Sequence, residues 1–285
     1  WSRDSKQLGF VVGNVLKRVS PDGGPLFEIA RGVRLGATWG ASDILFGSTL
    51  GLRRVSPSGG AVSIATTLQG PDWEHAWPHM LPDGRHFLFT AKHWAGLAES
   101  GSQGIYLGSL DDPKDLRQLL PELSGAVYAP PGYIVFARGG RLMAVPFDMA
   151  AGRITGEPAS LGEEIPTEEV FLTASVSAGA NGTLAVRAKP APAISGAAGD
   201  SSIFDSELTV FNRDGTVASR VGDLRASYYM AVSPDGKSLI VNLTDTRTGA
   251  SDLWRLDLTS GARTAVTTMR SNGGYAGSPV WSPDG

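Results

Sequence analysis

The four histidines fall in one stretch of the sequence together with three tryptophans: His75, His79, His86 and His93, with Trp73, Trp77 and Trp94. In an extended strand, His75, Trp77 and His79 share one face because side chains alternate. Zinc needs three or four converging ligands, and Asp72 or Glu74 could complete such a set. No ligand spacing of a known kind is present. We therefore expect no metal site, with His75 and Trp77 packed at the entrance of a strand.

Motifs for covalent or phosphoryl chemistry are missing from the sequence. It has no cysteine, no Gly-x-Ser-x-Gly elbow, no His-Arg-Asp catalytic loop, no Asp-Phe-Gly and no glycine-rich phosphate loop. The acidic stretch from Asp245 to Asp252 could offer oxygen ligands to Ca²⁺, but it lacks the pattern of an EF-hand and is more typical of a hairpin connection. We expect that this segment is not an enzyme and needs no cofactor.

A turn phrase recurs along the chain and divides it into repeats. Trp1-Ser2-Arg3-Asp4 opens the sequence and Trp281-Ser282-Pro283-Asp284-Gly285 ends it, while Pro82-Asp83-Gly84 and Pro234-Asp235-Gly236 stand between them. Proline fixes φ and glycine supplies the left-handed position, so each phrase predicts a tight turn. The segments after each turn are rich in β-forming residues and often alternate in polarity, which predicts four short strands joined by hairpins.

The frame repeats six times and predicts an all-β fold, a six-bladed β-propeller of four-stranded antiparallel blades in one domain, residues 1–285. The expected blades are residues 1–32 with 275–285, 33–70, 71–122, 123–166, 167–223 and 224–274. Insertions at 94–103 and 188–206 interrupt the third and fifth blades. The first blade lacks a first strand, and a spare one precedes residue 281. We expect that this C-terminal strand closes the ring; the alternative is a cut within a longer array.

Composition excludes some partners. A net charge of -3 without any cluster of lysine or arginine argues against a nucleic-acid surface. No apolar stretch is long enough for a membrane span. The first residue is Trp1 rather than methionine. We expect that the chain is a segment of a longer protein, in which any anchor would lie outside it.

Aromatic side chains concentrate on or beside the predicted first strands: Trp39, Trp77, Tyr228, Tyr229 and Tyr275. The first strand of a propeller blade is innermost, so such rings could line the mouth of the channel. The alternative is that they fill the space between blades. Our candidate ligand-binding set at the channel mouth is His75, Trp77, Tyr228 and Tyr275.

A run of phrases in the middle of the chain resembles a known family. These phrases are His75-Ala76-Trp77-Pro78, Gly104 to Leu110, Ala126 to Tyr133 and Leu142 to Asp148. They are similar to the TolB-like, WD-type β-propeller repeat region of bacterial transmembrane serine/threonine protein kinases. In that family a cytoplasmic kinase domain precedes a membrane helix, and the propeller is thought to lie outside as a sensing or protein-binding module.

The resemblance implies a periplasmic or extracytoplasmic module, tethered to the membrane through parts outside this segment, and it transfers no catalytic residue. We expect a non-catalytic sensor or scaffold that binds a protein, peptide or small ligand at the funnel face. Two alternatives stay open. The propeller could gate a hydrolase of the prolyl-oligopeptidase kind, or it could be a periplasmic protein-interaction propeller of the TolB type.

Overall fold

The computed structural model describes residues 7–20, 24–93, 102–165, 176–179, 181–188, 207–212, 216–221, 226–233, 235–244, 250–268 and 276–280. Their strands form six antiparallel sheets, and within five of them each strand pairs with the next in order. Innermost strands of neighbouring sheets contact one another at five of the six junctions of a ring, and buried side chains join the two sheets at the sixth. The predicted all-β, six-bladed propeller is therefore confirmed.

The first three blades have four strands each, written from the innermost strand outward. Blade 1 contains β25 (Ala276–Val280), β1 (Leu8–Val12), β2 (Val15–Val19) and β3 (Phe27–Arg31). Blade 2 contains β4 (Arg34–Trp39), β5 (Ile44–Ser48), β6 (Gly51–Val55) and β7 (Ser63–Ile64). Blade 3 contains β8 (Trp73–Met80), β9 (His86–His93), β10 (Gly104–Ser109) and β11 (Leu116–Leu120).

The remaining blades follow the same order, with one addition. Blade 4 contains β12 (Val127–Ala129), β13 (Tyr133–Arg138), β14 (Arg141–Asp148), β15 (Arg153–Ile154) and β16 (Ala159–Glu164). Blade 5 contains β17 (Val176–Ala178), β18 (Leu184–Ala188), β19 (Glu207–Phe211) and β20 (Val217–Val221). Blade 6 contains β21 (Ala226–Val232), β22 (Ser238–Thr244), β23 (Ser251–Asp257) and β24 (Arg263–Ala265). The addition is β15, which pairs with the end of β14 while β16 pairs with its beginning.

The ring closes as the sequence predicts. Strand β25, at the C-terminal end of the chain, is the innermost strand of blade 1 and pairs antiparallel with β1. Its residues Ala276 and Gly277 lie opposite Val12 and Val11. The division into a single domain with the blade limits given above stays a prediction.

Apolar residues pack between blades rather than within one central core. Six clusters of buried side chains occur among the described residues, and each joins two adjacent blades. The cluster that joins the last blade to the first contains Leu8 and Phe10 from blade 1 with Ile240 and Leu253 from blade 6. Burial of such rings and branched chains, at about 25 cal/mol per Å², holds neighbouring blades together. The ring is thus closed by side-chain packing as well as by β25.

The recurring turn phrase is fixed by its aspartate. In blade 3 the carboxylate of Asp83 accepts hydrogen bonds from the backbone N–H groups of Arg85 and His86 at 2.9 Å, and His86 Nδ1 lies 2.6 Å from the other oxygen. Desolvation raises the pKa of Asp83, but these hydrogen bonds outweigh it and leave the pKa below its usual value. In blade 6, Asp235 bonds the backbone N–H of Lys237 at 3.0 Å in the same way.

Two kinds of connection lie at one face of the ring: those that lead from one blade to the next, and those that join the second strand of a blade to its third. The innermost strand of each blade begins there, and the second strand ends there because successive strands are antiparallel. We call this end of the ring the mouth face. Strand β9 ends at His93 and β18 ends at Ala188, so both sequence insertions leave their blades at this face. Residues 94–101 and 189–206, within those insertions, lie outside the described residues.

Candidate functional site

The innermost strands of four blades carry a β-bulge near the mouth face. The register shifts between Gly277 and Val280 in β25, Arg34 and Ala37 in β4, Ala76 and His79 in β8, and Ala226 and Met230 in β21; these shifts place one or two extra residues on the inner strand. A bulge bends the strand and redirects a side chain, and bulges are common beside active and binding sites. Four blades therefore redirect residues from the same level of the ring.

The bulges hold three residues other than glycine at positive φ. The φ angles are 44° at Leu35, 53° at Trp77 and 49° at Ser278. A left-handed conformation costs an L-residue about 1–2 kcal/mol, so the surrounding fold must over-determine it. Each of these residues, like Tyr229 in blade 6, lies within the register shift of the innermost strand of its blade. The four positions are structurally equivalent.

Trp77 and Tyr229 approach each other from opposite sides of the ring. Blades 3 and 6 are three steps apart in a six-bladed ring, so a contact between them crosses the central channel. The ring centroids of Trp77 and Tyr229 are 6.2 Å apart with an interplanar angle of 36°. The indole also lies against Gly36 of blade 2. Its Nε1 is enclosed and has no hydrogen-bond acceptor among the described residues. Two aromatic rings thus narrow the channel.

A small pocket opens beside Tyr229 and has a volume of ≈ 90 Å³. Residues of blades 1, 2 and 6 line it: Val11, Gly13, Val33, Arg34, Leu35, Gly36, Tyr229, Gly277 and Ser278. Gly13 belongs to the turn between the second and third strands of blade 1, which places the pocket at the mouth face. Two of the three strained residues, Leu35 and Ser278, therefore form walls of this pocket.

Arg34 is the charged residue that lines the pocket, and it belongs to a short series of charges. Its Nη2 lies 4.0 Å from Oε1 of Glu74, at the limit of an ion pair. The other oxygen of Glu74 lies 3.0 Å from Nζ of Lys92. This second distance marks a close ion pair, although its geometry is poor for a hydrogen bond. The Glu74 side chain is 4% exposed and that of Arg34 is 43% exposed, so the charges run from the interior to the pocket.

His75 has a structural environment between blades 2 and 3. It is fully buried, with Nδ1 2.7 Å from Thr66 Oγ1 and Nε2 2.9 Å from Gln69 Oε1. Its ring also packs on Phe89, with centroids 4.8 Å apart. Desolvation lowers the pKa of His75 to about 4, so the imidazole is neutral near pH 7. The bulge at Trp77 ends the alternation within β8, which is why His75 and Trp77 have different surroundings.

The other histidines do not form a metal centre with it. Desolvation lowers the pKa of His79 to about 4, although part of the side chain still reaches solvent. His86 is bound to Asp83 in the turn, and His93 packs edge-on against Trp73 with ring centroids 5.6 Å apart. Within the described residues, no three histidine, aspartate or glutamate side chains converge as metal ligands would.

Two members of the predicted set cannot be described at the side chain. Tyr228 lies in the bulge of β21 beside Tyr229, and only its backbone is described. Tyr275 lies outside the described residues, as does most of the acidic loop, 245–249. Trp39 is buried between blades 1 and 2. The set of His75, Trp77, Tyr228 and Tyr275 therefore stays a prediction as a binding site.

The prediction from sequence omitted four residues at the mouth face: Arg34, Leu35, Gly36 and Ser278. A weak signal for one of them exists, because Ser278 stands at the same distance before the proline of its turn phrase as Trp77. The fold of the bulge cannot be read from residue type, since leucine, serine and tryptophan do not favour positive φ.

Comparison with known proteins shows the fold and not a family. No protein-family model and no curated protein sequence matches the chain. Among solved structures, TolB from Acinetobacter baumannii has a TM-score of 0.70 and 17% identity, with 98% of this chain and 67% of that chain covered. A chain of the nidogen/laminin complex has a TM-score of 0.63 and 13% identity, with 96% and 97% covered. The chain has the fold of TolB-like six-bladed propellers.

An enzyme also contains a similar propeller. Prolyl oligopeptidase B from Galerina marginata has a TM-score of 0.55 and 11% identity, with 94% of this chain but 40% of that chain covered. Identities this low indicate a shared architecture and transfer no activity. Among the described residues, no helix has the length and apolarity that a membrane crossing needs.

Proposed function

We propose that the chain is a non-catalytic binding propeller that holds a protein or peptide at its mouth face. The observation that carries the proposal is the contact of Trp77 and Tyr229 across the channel, 6.2 Å between ring centroids. Aromatic rings supply large contact areas at little conformational cost and are enriched among residues that dominate binding energy. Strained backbone at Leu35 and Ser278, beside these rings, is typical of pre-organised sites.

The environment of the titratable groups supports binding rather than proton transfer. A general acid or base must reach its substrate by a hydrogen bond, directly or through one water. Both nitrogens of His75 are already bonded to Thr66 and Gln69 inside the interface between blades. Glu74 is similarly occupied by Lys92. These groups stabilise the walls of the channel.

The biological setting that we propose is the extracytoplasmic region of a bacterial serine/threonine protein kinase, tethered to the membrane through parts outside this chain. The resemblance of the phrases around His75 and Gly104 supports this setting. The likeness to TolB is compatible with a periplasmic interaction propeller that lacks any kinase. The sequence of the complete gene distinguishes the two: a kinase domain followed by an apolar helix upstream is expected, and a signal peptide alone would contradict the kinase setting.

A second candidate is a propeller that gates a hydrolase. The observation that favours it is the match to prolyl oligopeptidase B, of which the aligned part covers 40% of that chain. A Ser-Asp-His hydrolase domain encoded downstream would support this candidate and contradict the first. In both cases the propeller binds a polypeptide and performs no chemistry itself.

Selection of random peptides displayed on phage against the immobilised chain tests the proposed site. We expect that the selected peptides bind about 30-fold more weakly to Tyr229→Ala, because an aromatic anchor contributes about 2 kcal/mol or more. Trp77→Phe, which keeps an aromatic ring, should weaken binding less. Tyr133→Ala is the matched control, since Tyr133 is 44% exposed on blade 4. Equal affinities for the Tyr229 and Tyr133 variants, or no selected binder, would contradict the proposal.

A further inference from the structure

We propose that the pocket beside Tyr229 binds one carboxylate group of a polypeptide partner, with Arg34 as the residue that recognises it. This inference rests on the proposed function, because it assumes that a polypeptide occupies the mouth face. It adds a chemical requirement on that polypeptide. Arg34, Leu35 and Gly36 supply one wall of the pocket, Gly277 and Ser278 supply another, and Tyr229 lies beside them.

The size of the pocket selects a chemical group rather than a whole ligand. Sites for drug-sized molecules and cofactors have volumes of about 300–1,000 Å³. The pocket at Arg34 has ≈ 90 Å³, well below that range. That volume suits the end of an aspartate or glutamate side chain or a C-terminal carboxylate. A nucleotide or an oligosaccharide would have to leave most of its surface outside.

The charges around the pocket favour an anion. Among the described side chains of this group, the two cations, Arg34 and Lys92, outnumber the one carboxylate, Glu74. Glu74 lies closer to Lys92, at 3.0 Å, than to Arg34, at 4.0 Å. The side chain of Arg34 is 43% exposed and Arg34 lines the pocket, so an incoming carboxylate can approach it there. Guanidinium and carboxylate groups bond in a planar, two-point geometry that an uncharged group cannot reproduce.

The backbone holds the pocket in an open form before any ligand binds. Leu35 and Ser278 have φ angles of 44° and 49°, and Gly36 has a φ of 94°. The indole of Trp77 packs on Gly36 and restricts the movement of that wall. A site with little freedom loses little entropy when it is occupied, which favours recognition of a single small group. Ser278 and Tyr229, which also line the pocket, carry hydroxyl groups, which can bond to carboxylate oxygens.

Nuclear magnetic resonance titration of the ¹⁵N-labelled chain tests this assignment with three small probes. N-acetyl-glutamate N-methylamide carries a side-chain carboxylate, and N-acetyl-glutamine N-methylamide is its uncharged counterpart. N-acetylglycine carries a terminal carboxylate, so it tests whether the pocket also binds a C-terminal carboxylate and not just that of a side chain. We expect saturable shifts of the Leu35 and Gly36 amide signals with the first probe at constant ionic strength. The glutamine probe should cause none. A response to N-acetylglycine as well would assign both carboxylate sources to the pocket.

Variants then assign the effect to Arg34. We expect that Arg34→Gln weakens binding of the glutamate probe about tenfold or more, because a hydrogen bond to a charged group contributes about 1.5–3 kcal/mol. Arg34→Lys should have an intermediate effect. Arg31→Gln, the same change at a side chain that is 72% exposed and bound to Glu28, should have no effect. Equal shifts with both wild-type probes, no saturable shift with any, or full binding to Arg34→Gln would overturn the assignment.

Failure of this inference is distinguishable from failure of the proposed function. Suppose that binding of the selected peptides depends on Tyr229 but not on Arg34, and that neither carboxylate probe shifts the amide signals of the chain. The binding propeller then stands and the carboxylate assignment is wrong. If the glutamate probe binds at Arg34 while no peptide depends on Tyr229, the pocket is real and the proposed polypeptide function is wrong. The comparison of the two wild-type probes needs no variant, so a misfolded variant leaves the test intact.

Discussion

A β-carbon added to Gly36 would lie 2.8 Å from Cε3 of Trp77, closer than carbon atoms can pack. The glycine of blade 2 is therefore what allows the indole of blade 3 to turn toward the channel. The φ of Gly36 is 94°, a conformation that a residue with a side chain rarely adopts. Shape at the channel mouth thus depends on a residue with no side chain of its own.

We expect that Gly36→Ala lowers the free energy of unfolding by about 2–4 kcal/mol, from backbone strain and from overpacking against Trp77. Gly32→Ala is the matched control. Gly32 has a φ of 78° but no atom within 4 Å of the added carbon, so strain alone acts there, at about 1–2 kcal/mol. Urea denaturation of the two variants measures the difference. Equal losses would show that the indole yields freely.

The buried His75 makes stability depend on pH. Its pKa is about 4 in the folded chain and 6.5 when unperturbed, and the lowering comes from desolvation. Above pH 6.5 His75 is neutral in both the folded and the unfolded chain, so its titration does not lower the free energy of unfolding. As the pH falls from 6.5 to 4, His75 binds a proton in the unfolded chain but stays neutral in the folded chain, so the free energy of unfolding decreases. Below pH 4 His75 is protonated in both states, and the free energy of unfolding decreases no further on its account. We expect a loss of about 3 kcal/mol from this residue.

His75→Gln should remove this part of the pH dependence. Urea denaturation at several values between pH 4 and pH 7 measures the slope, which a single histidine sets at about 1.4 kcal/mol per pH unit. His79 has the same direction of shift, so a reduced slope will persist in the variant. The pKa of Asp83 is lowered in the folded chain, so its own contribution to stability is lost mainly as the pH falls below 3.8, the unperturbed value. An unchanged slope in His75→Gln would contradict the assignment.

The blades could be predicted from sequence because the turn phrase encodes its own structure. Proline, aspartate and glycine each have a local task, and the bonds of Asp83 to the two following N–H groups show it. Local tasks are visible in one repeat, and repetition makes them certain. Closure by β25 followed from the same count, since one repeat lacked a strand that the last residues could supply.

The bulges could not be predicted, because they depend on contacts between blades. Strict alternation places His75, Trp77 and His79 on one face, but the register shift after Ala76 separates His75 from Trp77. Tryptophan as a residue type does not favour a φ of 53°. The space left by the missing side chain of Gly36, on another blade, makes this conformation of Trp77 possible. Arg34 could not be predicted for the same reason, since its place in the pocket depends on residues of blades 1 and 6.

Two buried threonines should respond in opposite ways to the same substitution. Oγ1 of Thr209 is buried and has no hydrogen-bond partner among the described residues, whereas Oγ1 of Thr90 donates to the Ser124 carbonyl at 2.7 Å. We expect that Thr209→Val leaves stability unchanged or raises it by up to about 1 kcal/mol. Thr90→Val should lower it by about 1–2 kcal/mol, because the carbonyl loses its donor. Thermal denaturation distinguishes the pair, and a similar loss in both would contradict the prediction for Thr209.

The ion pair of Glu74 and Lys92 should be strongly coupled because it is largely removed from water. The two side chains are 4% and 12% exposed. We expect that Lys92→Met alone costs about 3 kcal/mol, since it leaves a buried carboxylate with only the distant Arg34. Glu74→Leu combined with Lys92→Met should recover most of that loss, as apolar replacements of buried pairs often do. Glu28 and Arg31, 43% and 72% exposed, are the control pair.

A double-mutant cycle on each pair, measured by urea denaturation, gives the two coupling energies. The exposed pair should couple by no more than about 1 kcal/mol, because water and salt screen it. The buried pair should couple by about 2 kcal/mol or more, and added salt should affect it less than the exposed pair. Coupling energies of equal size would mean that water reaches Glu74. Water would then also screen the positive charge at the pocket. The attraction between Arg34 and a bound carboxylate would be weaker than the separation of Arg34 from Glu74 implies.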